Sequence, residues 1–128
     1  LKTTEERLKH YGLEDDRIRI LHFPPREEYI RLLKSCSVFV SCARAEGWNL
    51  PLIEAMACGT PVAAYPCQGP LDVVDEGVTG CMNWDLKQAV TDALNLDRKK
   101  VLKGSKRWTW ENAWAIFRDN LIEKSDTR

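Results

Sequence analysis

The chain has 128 residues, 44% of them hydrophobic and 30% charged, which is the composition of one ordinary globular domain and not of a disordered segment. Its 19 basic and 19 acidic residues give a net charge of +0, so the total charge provides no electrostatic footprint for nucleic acid or an anionic membrane. No apolar run reaches the ~18 residues needed to span a bilayer, and no signal-peptide pattern opens the chain.

The cysteines indicate a reducing compartment. Their number is odd, and no two of them have the CxxC spacing, which argues against a disulfide framework and against a zinc site. We therefore expect free thiols in a cytoplasmic protein. The five are Cys36, Cys42, Cys58, Cys67 and Cys81.

The first third of the chain predicts two helices and two strands in alternation. A short helix ends at Gly12, and the brief apolar run Ile18 to Leu21 predicts a strand. Apolar positions at helical spacing predict a helix from Arg26 to about Ser35. The run from Ser37 to Cys42 is rich in β-branched and aromatic residues and predicts a strand buried on both faces.

The stretch from Ala45 to Ala64 predicts a turn, a helix and a strand. Asn49 is a good N-cap, so the helix begins near Leu50. It should end at Gly59, because glycine readily takes the left-handed conformation just past a helix end. The run Pro61 to Tyr65 then predicts a buried strand.

The last part of the chain predicts three further helices after a short helical piece at 71–75 and an edge strand near 81–83. Asp85 and Gln88 have capping-box spacing and predict a helix from Leu86 to about Leu94. A basic helix starts at Asp97 and ends at Gly104. The closing helix, from Trp110 to about Glu123, has an apolar stripe that predicts core packing: Trp110, Trp114, Phe117 and Leu121.

This alternation predicts a parallel sheet with helices on both faces, in which ligands bind outside the carboxyl ends of the strands. Three loops should lie at that edge: His22 to Pro25, Cys42 to Leu50, and Pro66 to Leu71. Glu54 lies in the central helix with no Lys or Arg three or four residues away. Either its carboxylate points to solvent, or it accepts hydrogen bonds from hydroxyls of a ligand.

Glu46 and Glu54 stand as E-x7-E within EGWNLPLIEAMACGTPVAA, which resembles the signature of the C-terminal domain of retaining, family-4-type glycosyltransferases with the GT-B fold. Upstream, RIRILHFPPREEYIRLLKSCSVFVS is similar to the segment that leads into that signature. Downstream, GPLDVVDEGVTG and RWTWENAW resemble later turns and the closing helix of the family. The resemblance therefore covers nearly the whole chain.

The resemblance implies an α/β fold, a Rossmann-like parallel sheet with helices on both faces, that lacks its first two strands. Residues 1–128 would be a partial nucleotide-sugar-binding domain. The two strands would normally lie between the strand at Ile18 and the strand at Ser37. We therefore predict that these two segments do not pair with each other.

The resemblance also implies a donor site. Glu46 would hold hydroxyls of the transferred sugar as the catalytic residue, and Glu54 would bind the ribose hydroxyls. The donor's sugar and distal phosphate would lie against the main chain of Gly47, Trp48, Asn49 and Leu50. From the residues themselves, the N-terminus of a helix beginning near Leu50 suits a diphosphate.

This chain departs from the family pattern at three points. Cys42 and Ala43 replace the commoner Pro-Ser, and Asn49 stands where a glycine-like residue is frequent. The basic residues that stabilise the leaving diphosphate in the family belong to a loop that precedes Leu1. Arg44 is either a substitute for them or a solvated loop arginine.

The activity implied is transfer of a sugar from a nucleotide-diphosphate sugar with retention at the anomeric carbon, without a metal or another cofactor. The partners would be a glycan, lipid or small-molecule acceptor and an N-terminal acceptor domain, with peripheral membrane association of the parent protein also compatible. We expect the fragment alone to be inactive. A carboxylate pair of the glycoside hydrolase kind is the competing enzymatic interpretation. The alternative from another class is a noncatalytic nucleotide-sugar-binding or interaction module.

Overall fold

Three of the predicted apolar runs form a parallel sheet in the computed structural model, which describes residues 3–121. The strands pair in the order β1-β2-β3, with Phe39 opposite Val62 and Ala63 opposite Cys81. β2 is the central strand, and each of its residues is fully buried. The strands are β1 (Phe39–Val40), β2 (Val62–Ala64) and β3 (Gly80–Met82).

Helices connect and cover these strands. Within the described residues they are α1 (Thr4–His10), α2 (Arg26–Ser35), α3 (Leu50–Ala57), α4 (Pro70–Val73), α5 (Leu86–Ala93), α6 (Arg98–Ser105) and α7 (Trp110–Asp119).

Alternate residues of β2 point to opposite faces of the sheet and divide the core in two. Val62 and Ala64 pack with buried residues of α2, α3 and α6, including Leu52 and Met56. Ala63 packs on the other face with Ala89, Ala93 and Cys81, the first two from α5. Helices therefore cover both faces, which confirms the predicted Rossmann-like arrangement.

The prediction of a strand at Ile18 to Leu21 is wrong, because this segment is irregular in the structure. A strand needs a neighbour to satisfy its backbone hydrogen bonds, and no described residue pairs with it. Ile18 is 47% exposed and Leu21 is 37% exposed. The further prediction, that a strand here does not pair with the strand near Ser37, is not tested, because the segment forms no strand.

The strand predicted from Ser37 to Cys42 is shorter than expected and is not buried on both faces. Regular pairing covers Phe39–Val40, and Val40 is 37% exposed. The reason is its position, because β1 is the edge strand of the described sheet and pairs with β2 alone. An apolar run does not by itself reveal which of its sides has a neighbour.

Two glycines next to helix ends behave differently. Gly59 follows α3 with φ +72°, as predicted for a helix stop. Gly104 does not end α6 as predicted, since the helix continues to Ser105. A Cβ at Gly104 would lie 2.5 Å from Cγ2 of the buried Thr79. Glycine is therefore required here for close packing and not for a turn.

The apolar stripe of α7 does not belong to the core, which corrects the prediction of core packing. Trp110 is 89% exposed, and the other three residues of the predicted stripe are each 57% to 60% exposed. Helical spacing shows that apolar residues share one side of a helix, but it does not supply the surface that covers them. The predicted end near Glu123 lies outside the described residues.

Arg98 ties the start of α6 to the end of α2. Its guanidinium donates to the carbonyl oxygens of Cys36 at 2.5 Å and Lys34 at 2.8 Å, and to Oγ1 of Thr60 at 3.0 Å. The Thr60 hydroxyl in turn donates to the carbonyl of Leu33. A planar fork with several donors satisfies carbonyls at the end of α2 that have no partner within the helix.

Replacing Arg98 by Lys should lower the free energy of unfolding by about 1–3 kcal/mol, because one ammonium cannot make the three hydrogen bonds of the fork. Urea denaturation measures the change. The matched control is Arg118→Lys, on an exposed arginine paired with its neighbour Asp119, which should stay within about 0.5 kcal/mol. Equal effects of the two substitutions would refute the role given to Arg98.

Candidate functional site at the carboxyl edge of the sheet

The loops that follow β1 and β2 meet at one edge of the sheet. The Cys67 thiol donates to the carbonyl of Ala43 across the gap, with a sulfur–oxygen distance of 3.5 Å. A Cβ at Gly69 would lie 3.0 Å from the carbonyl oxygen of Glu46 and 3.3 Å from that of Gly47. Two of the three predicted loops are therefore in backbone contact, and glycine makes this approach possible.

Glu46 and Gly47 form the open part of this edge. The Glu46 side chain is exposed, and no side chain among residues 3–121 makes a hydrogen bond or ion pair with its carboxylate. Nothing lies within 4 Å of the position that a Cβ would take at Gly47. A ligand can thus approach the main chain here.

Asn49 does not cap α3 with its side chain as predicted. Its backbone is left-handed, with φ 58° and ψ 58°, a conformation that asparagine tolerates better than most residues other than glycine. Its side-chain amide instead donates to the Ser41 hydroxyl at 3.0 Å, and the residue is buried. Asn49 therefore reproduces the backbone turn of a glycine and adds a hydrogen bond to the end of β1.

Trp48 and Leu50 lie on either side of this turn and are 49% and 60% exposed. The Trp48 ring meets Trp108 edge to face, with ring centroids 5.7 Å apart. The guanidinium of Arg107 lies over the Trp108 ring, 4.6 Å from its centroid. Trp48 is thus held against Trp108, which lies just before α7, a contact that the sequence did not predict.

Glu54 has two partners, both from α2. Arg26 Nη1 lies 2.9 Å from Glu54 Oε1, and the Tyr29 hydroxyl donates to Glu54 Oε2 at 3.0 Å. The expectation that no basic residue pairs with Glu54 on its own helix holds, but a neighbouring helix supplies one. Of the two interpretations, the structure argues against a free solvated carboxylate. The other, that Glu54 accepts hydrogen bonds from hydroxyls of a ligand, stays a prediction.

These contacts shift the proton affinity of both partners. Burial raises the pKa of Tyr29 to about 12, and its hydrogen bond to Glu54 acts in the same direction. The hydrogen bond to Glu54 also raises the pKa of Arg26, which is exposed. Both groups therefore stay protonated at neutral pH and remain donors to the carboxylate.

A cation and two aromatic rings stand in a row along the ends of the strands. The guanidinium of Arg44 lies 5.2 Å from the centroid of the Tyr65 ring, and Tyr65 stacks on Trp84 with a centroid separation of 5.8 Å. These residues follow β1, β2 and β3 respectively. Sequence reasoning missed Tyr65 and Trp84, although each comes just after a strand.

The loop from His22 to Pro25 contributes less directly than expected. His22 Nε2 lies 2.6 Å from an oxygen of Glu5, which connects this loop to α1. The pKa of Glu5 is lowered, first by a backbone hydrogen bond and then by His22. The first turn of α2, with Arg26, is therefore the part of this region that reaches the predicted site.

Within residues 3–121 the structure gathers no group of three His, Cys, Asp or Glu side chains suited to a metal ion. The clustered acidic residues after α4 have other partners: Asp75 pairs with Arg107 at 2.9 Å, and Glu76 accepts from the backbone of Met82 at 2.9 Å. In the same range no helix is long and apolar enough to cross a membrane.

Gly69→Ala should destabilise the protein by about 2–4 kcal/mol, because φ is +92° and the added methyl would press on the Glu46 carbonyl. Gly77→Ala is the control, since Gly77 also has a positive φ, +73°, but open space around it; we expect about 1–2 kcal/mol. Denaturation measures both, and amide exchange at Gly47 should accelerate in the first variant alone. Equal losses without faster exchange would contradict the loop contact.

The chain is similar to several glycosyltransferases of known sequence. It is 28% identical over 111 residues to an uncharacterized glycosyltransferase of Methanocaldococcus jannaschii, a match that covers 78% of this chain and 32% of that protein. It is 25% identical over 118 residues to the D-inositol 3-phosphate glycosyltransferase of Mycolicibacterium smegmatis, covering 87% of this chain and 26% of that protein. The chain thus spans a minor part of the length of these relatives.

The fold has a counterpart among solved structures. The crystal structure of Anabaena HepE in complex with UDP and glucose superposes with a TM-score of 0.63 at 23% identity, covering 91% of this chain and 35% of that one. This likeness confirms the predicted fold. The model of the family described as glycosyl transferases group 1 matches residues 1–104, and the chain therefore belongs to that family.

Proposed function

We propose that residues 1–128 are the donor-binding part of a retaining glycosyltransferase, which transfers a sugar from a nucleotide-diphosphate sugar to an acceptor. The observation that carries this proposal is the arrangement of the E-x7-E pair. Glu46 is open at the carboxyl edge of the sheet, and Glu54 is held by two donors in the helix that starts there. HepE, which shares the fold, has been solved with UDP-glucose.

The diphosphate, the sugar and the ribose of the donor each need a different kind of contact with the protein. In our proposal the N-terminus of α3 at Leu50 receives the diphosphate, because its free N–H groups and dipole favour an anion. The main chain at Gly47, Trp48 and Asn49 lies against the sugar, where the open space at Gly47 supports a close approach. Glu46 accepts hydrogen bonds from hydroxyls of the transferred sugar.

Glu54 accepts hydrogen bonds from the ribose hydroxyls. A carboxylate has about four acceptor positions, and Arg26 and Tyr29 use two of them. Two positions are left for a ligand, which is the number that the adjacent hydroxyls of a ribose require.

The proposed reaction retains the configuration at the anomeric carbon and uses no metal or cofactor, with the phosphate charge offset by the helix dipole and by cations. The acceptor is a glycan, a lipid or a small molecule, brought by an N-terminal acceptor domain of the parent protein. We place the enzyme in the cytoplasm, which is supported by five cysteines that are all free.

Glu54→Ala should weaken binding of nucleoside diphosphates by about 10- to 100-fold, since it removes hydrogen bonds to a charged acceptor. Calorimetric titration of the full-length parent protein with UDP and with GDP measures this and identifies the preferred base. Glu27→Ala, at an exposed glutamate in the first turn of α2, is the control and should leave the affinity unchanged. Equal affinities of Glu54→Ala and the unaltered protein for these nucleotides would refute the assignment of Glu54 to the ribose.

Glu46→Gln should reduce sugar transfer by about 100-fold, because a misplaced donor sugar loses its productive geometry. Nucleoside diphosphate affinity should stay within about threefold, since Glu46 contacts the sugar and not the nucleotide. Proton NMR of the product reports the anomeric configuration. Nucleotide binding without any transfer by the unaltered protein would favour the noncatalytic module over the enzyme.

A further inference from the structure

We propose that Tyr29 is a positioning residue for ribose recognition, whose hydroxyl fixes the Glu54 carboxylate so that both oxygens accept from two adjacent hydroxyls of the ligand. The inference deepens the proposed function and rests on it. It assigns a role to a residue of α2, which is separate in sequence from the E-x7-E segment. The expected ligand is a nucleoside diphosphate with both ribose hydroxyls free.

The geometry divides the carboxylate evenly. Oε2 accepts from the Tyr29 hydroxyl at 3.0 Å, and Oε1 is 2.9 Å from Nη1 of Arg26. Each oxygen is thus held by one donor and keeps capacity for a second. A carboxylate held in this way can receive two neighbouring hydroxyls, one on each oxygen, without giving up its existing partners.

Tyr29 is suited to this role because its two ends lie in different surroundings. The ring packs against the core cluster that contains Leu33, Leu52 and Met56, while the hydroxyl emerges at Glu54. The core fixes the ring, so the hydroxyl is a fixed point on the protein. A glutamate side chain has several rotatable bonds, and holding it before the ligand arrives lowers the entropy lost on binding.

The hydroxyl also fixes the chemical role of Glu54. Tyr29 keeps its proton at neutral pH, since a phenol titrates at about pH 10 and burial raises the pKa of Tyr29 further to about 12; it therefore acts as the donor. Glu54 is then the acceptor toward both Tyr29 and Arg26. Such a carboxylate favours ligand hydroxyls, which donate, over a ribose that carries a phosphate in place of a hydroxyl.

Arg26 has a different task in the same cluster. The Arg26 side chain is 68% exposed, against 34% for Glu54. Salt therefore weakens the ion pair between Arg26 and Glu54 more than it weakens the hydrogen bond between Tyr29 and Glu54. The guanidinium offsets the negative charge of Glu54, which would otherwise repel an anionic diphosphate nearby. Tyr29 therefore acts on the geometry of the carboxylate, and Arg26 on its charge.

The test compares two ligands that differ at the ribose. We expect Tyr29→Phe to weaken binding of UDP by about three- to tenfold and to leave 2′,3′-dideoxyuridine diphosphate unchanged, because the hydroxyl acts through Glu54 on the missing groups. Titrations use the full-length parent protein. Tyr11→Phe, at a tyrosine that is 71% exposed, is the matched control and should change neither affinity.

If Tyr29→Phe lowers the affinity for both ligands by the same factor, Tyr29 has a packing role and the inference is overturned. Any result in which Tyr29→Phe leaves the preference for UDP over the dideoxy ligand unchanged overturns it as well. Glu54→Asp provides a second variant that leaves the core intact. Its shorter side chain should not reach Tyr29, and the preference for UDP over the dideoxy ligand should fall by a similar factor.

The unaltered protein separates this inference from the proposed function. If it does not bind UDP, or binds both ligands equally, the assignment of Glu54 to the ribose fails and Tyr29 has no role to support. If it prefers UDP and loses that preference in Glu54→Ala but keeps it in Tyr29→Phe, the proposed function stands and the positioning role alone is refuted.

Discussion

The pairing of β2 with a parallel strand on each side is the constraint on which the rest of the structure depends. The three residues of β2 are fully buried and alternate between the two halves of the core. Since all three strands run in the same direction, the loops that follow them leave from one edge. This pairing brings the loop at Glu46 against Gly69, and α3 begins at Leu50 at the end of that loop.

The segment from Ala45 to Ala64 could be predicted almost completely from sequence, because its signals are local. A helix that begins at Leu50, a left-handed glycine at position 59 and a buried apolar strand each depend on neighbouring residues. Failures occurred where a partner decides the outcome. Residues 18–21 have strand-like composition but no neighbouring strand, and the stripe of α7 that begins with Trp110 has no described element over it.

The environment of Glu54 shows the same limit within the site. Spacing along α3 indicated correctly that the helix itself offers no basic partner, but Arg26 and Tyr29 lie 28 and 25 residues earlier in the chain. Only the packing of α2 against α3 makes them neighbours. Asparagine is favoured both as a helix cap and in the left-handed backbone conformation. Asn49 takes the left-handed conformation, and its side chain donates to Ser41 instead of capping α3.

In the proposed function one edge of the sheet binds the nucleotide, with Glu54 and the start of α3 at the centre of the site. The most direct test is a titration of the isotopically labelled protein with UDP, followed by NMR of backbone amides and of the glutamate carboxyl carbons. We predict that the largest changes fall on Gly47, Trp48 and Leu50 and on the carboxyl of Glu54. Changes concentrated in the acidic cavity between α1 and the 13–20 segment, which includes Glu5 and Asp16, would contradict the claim.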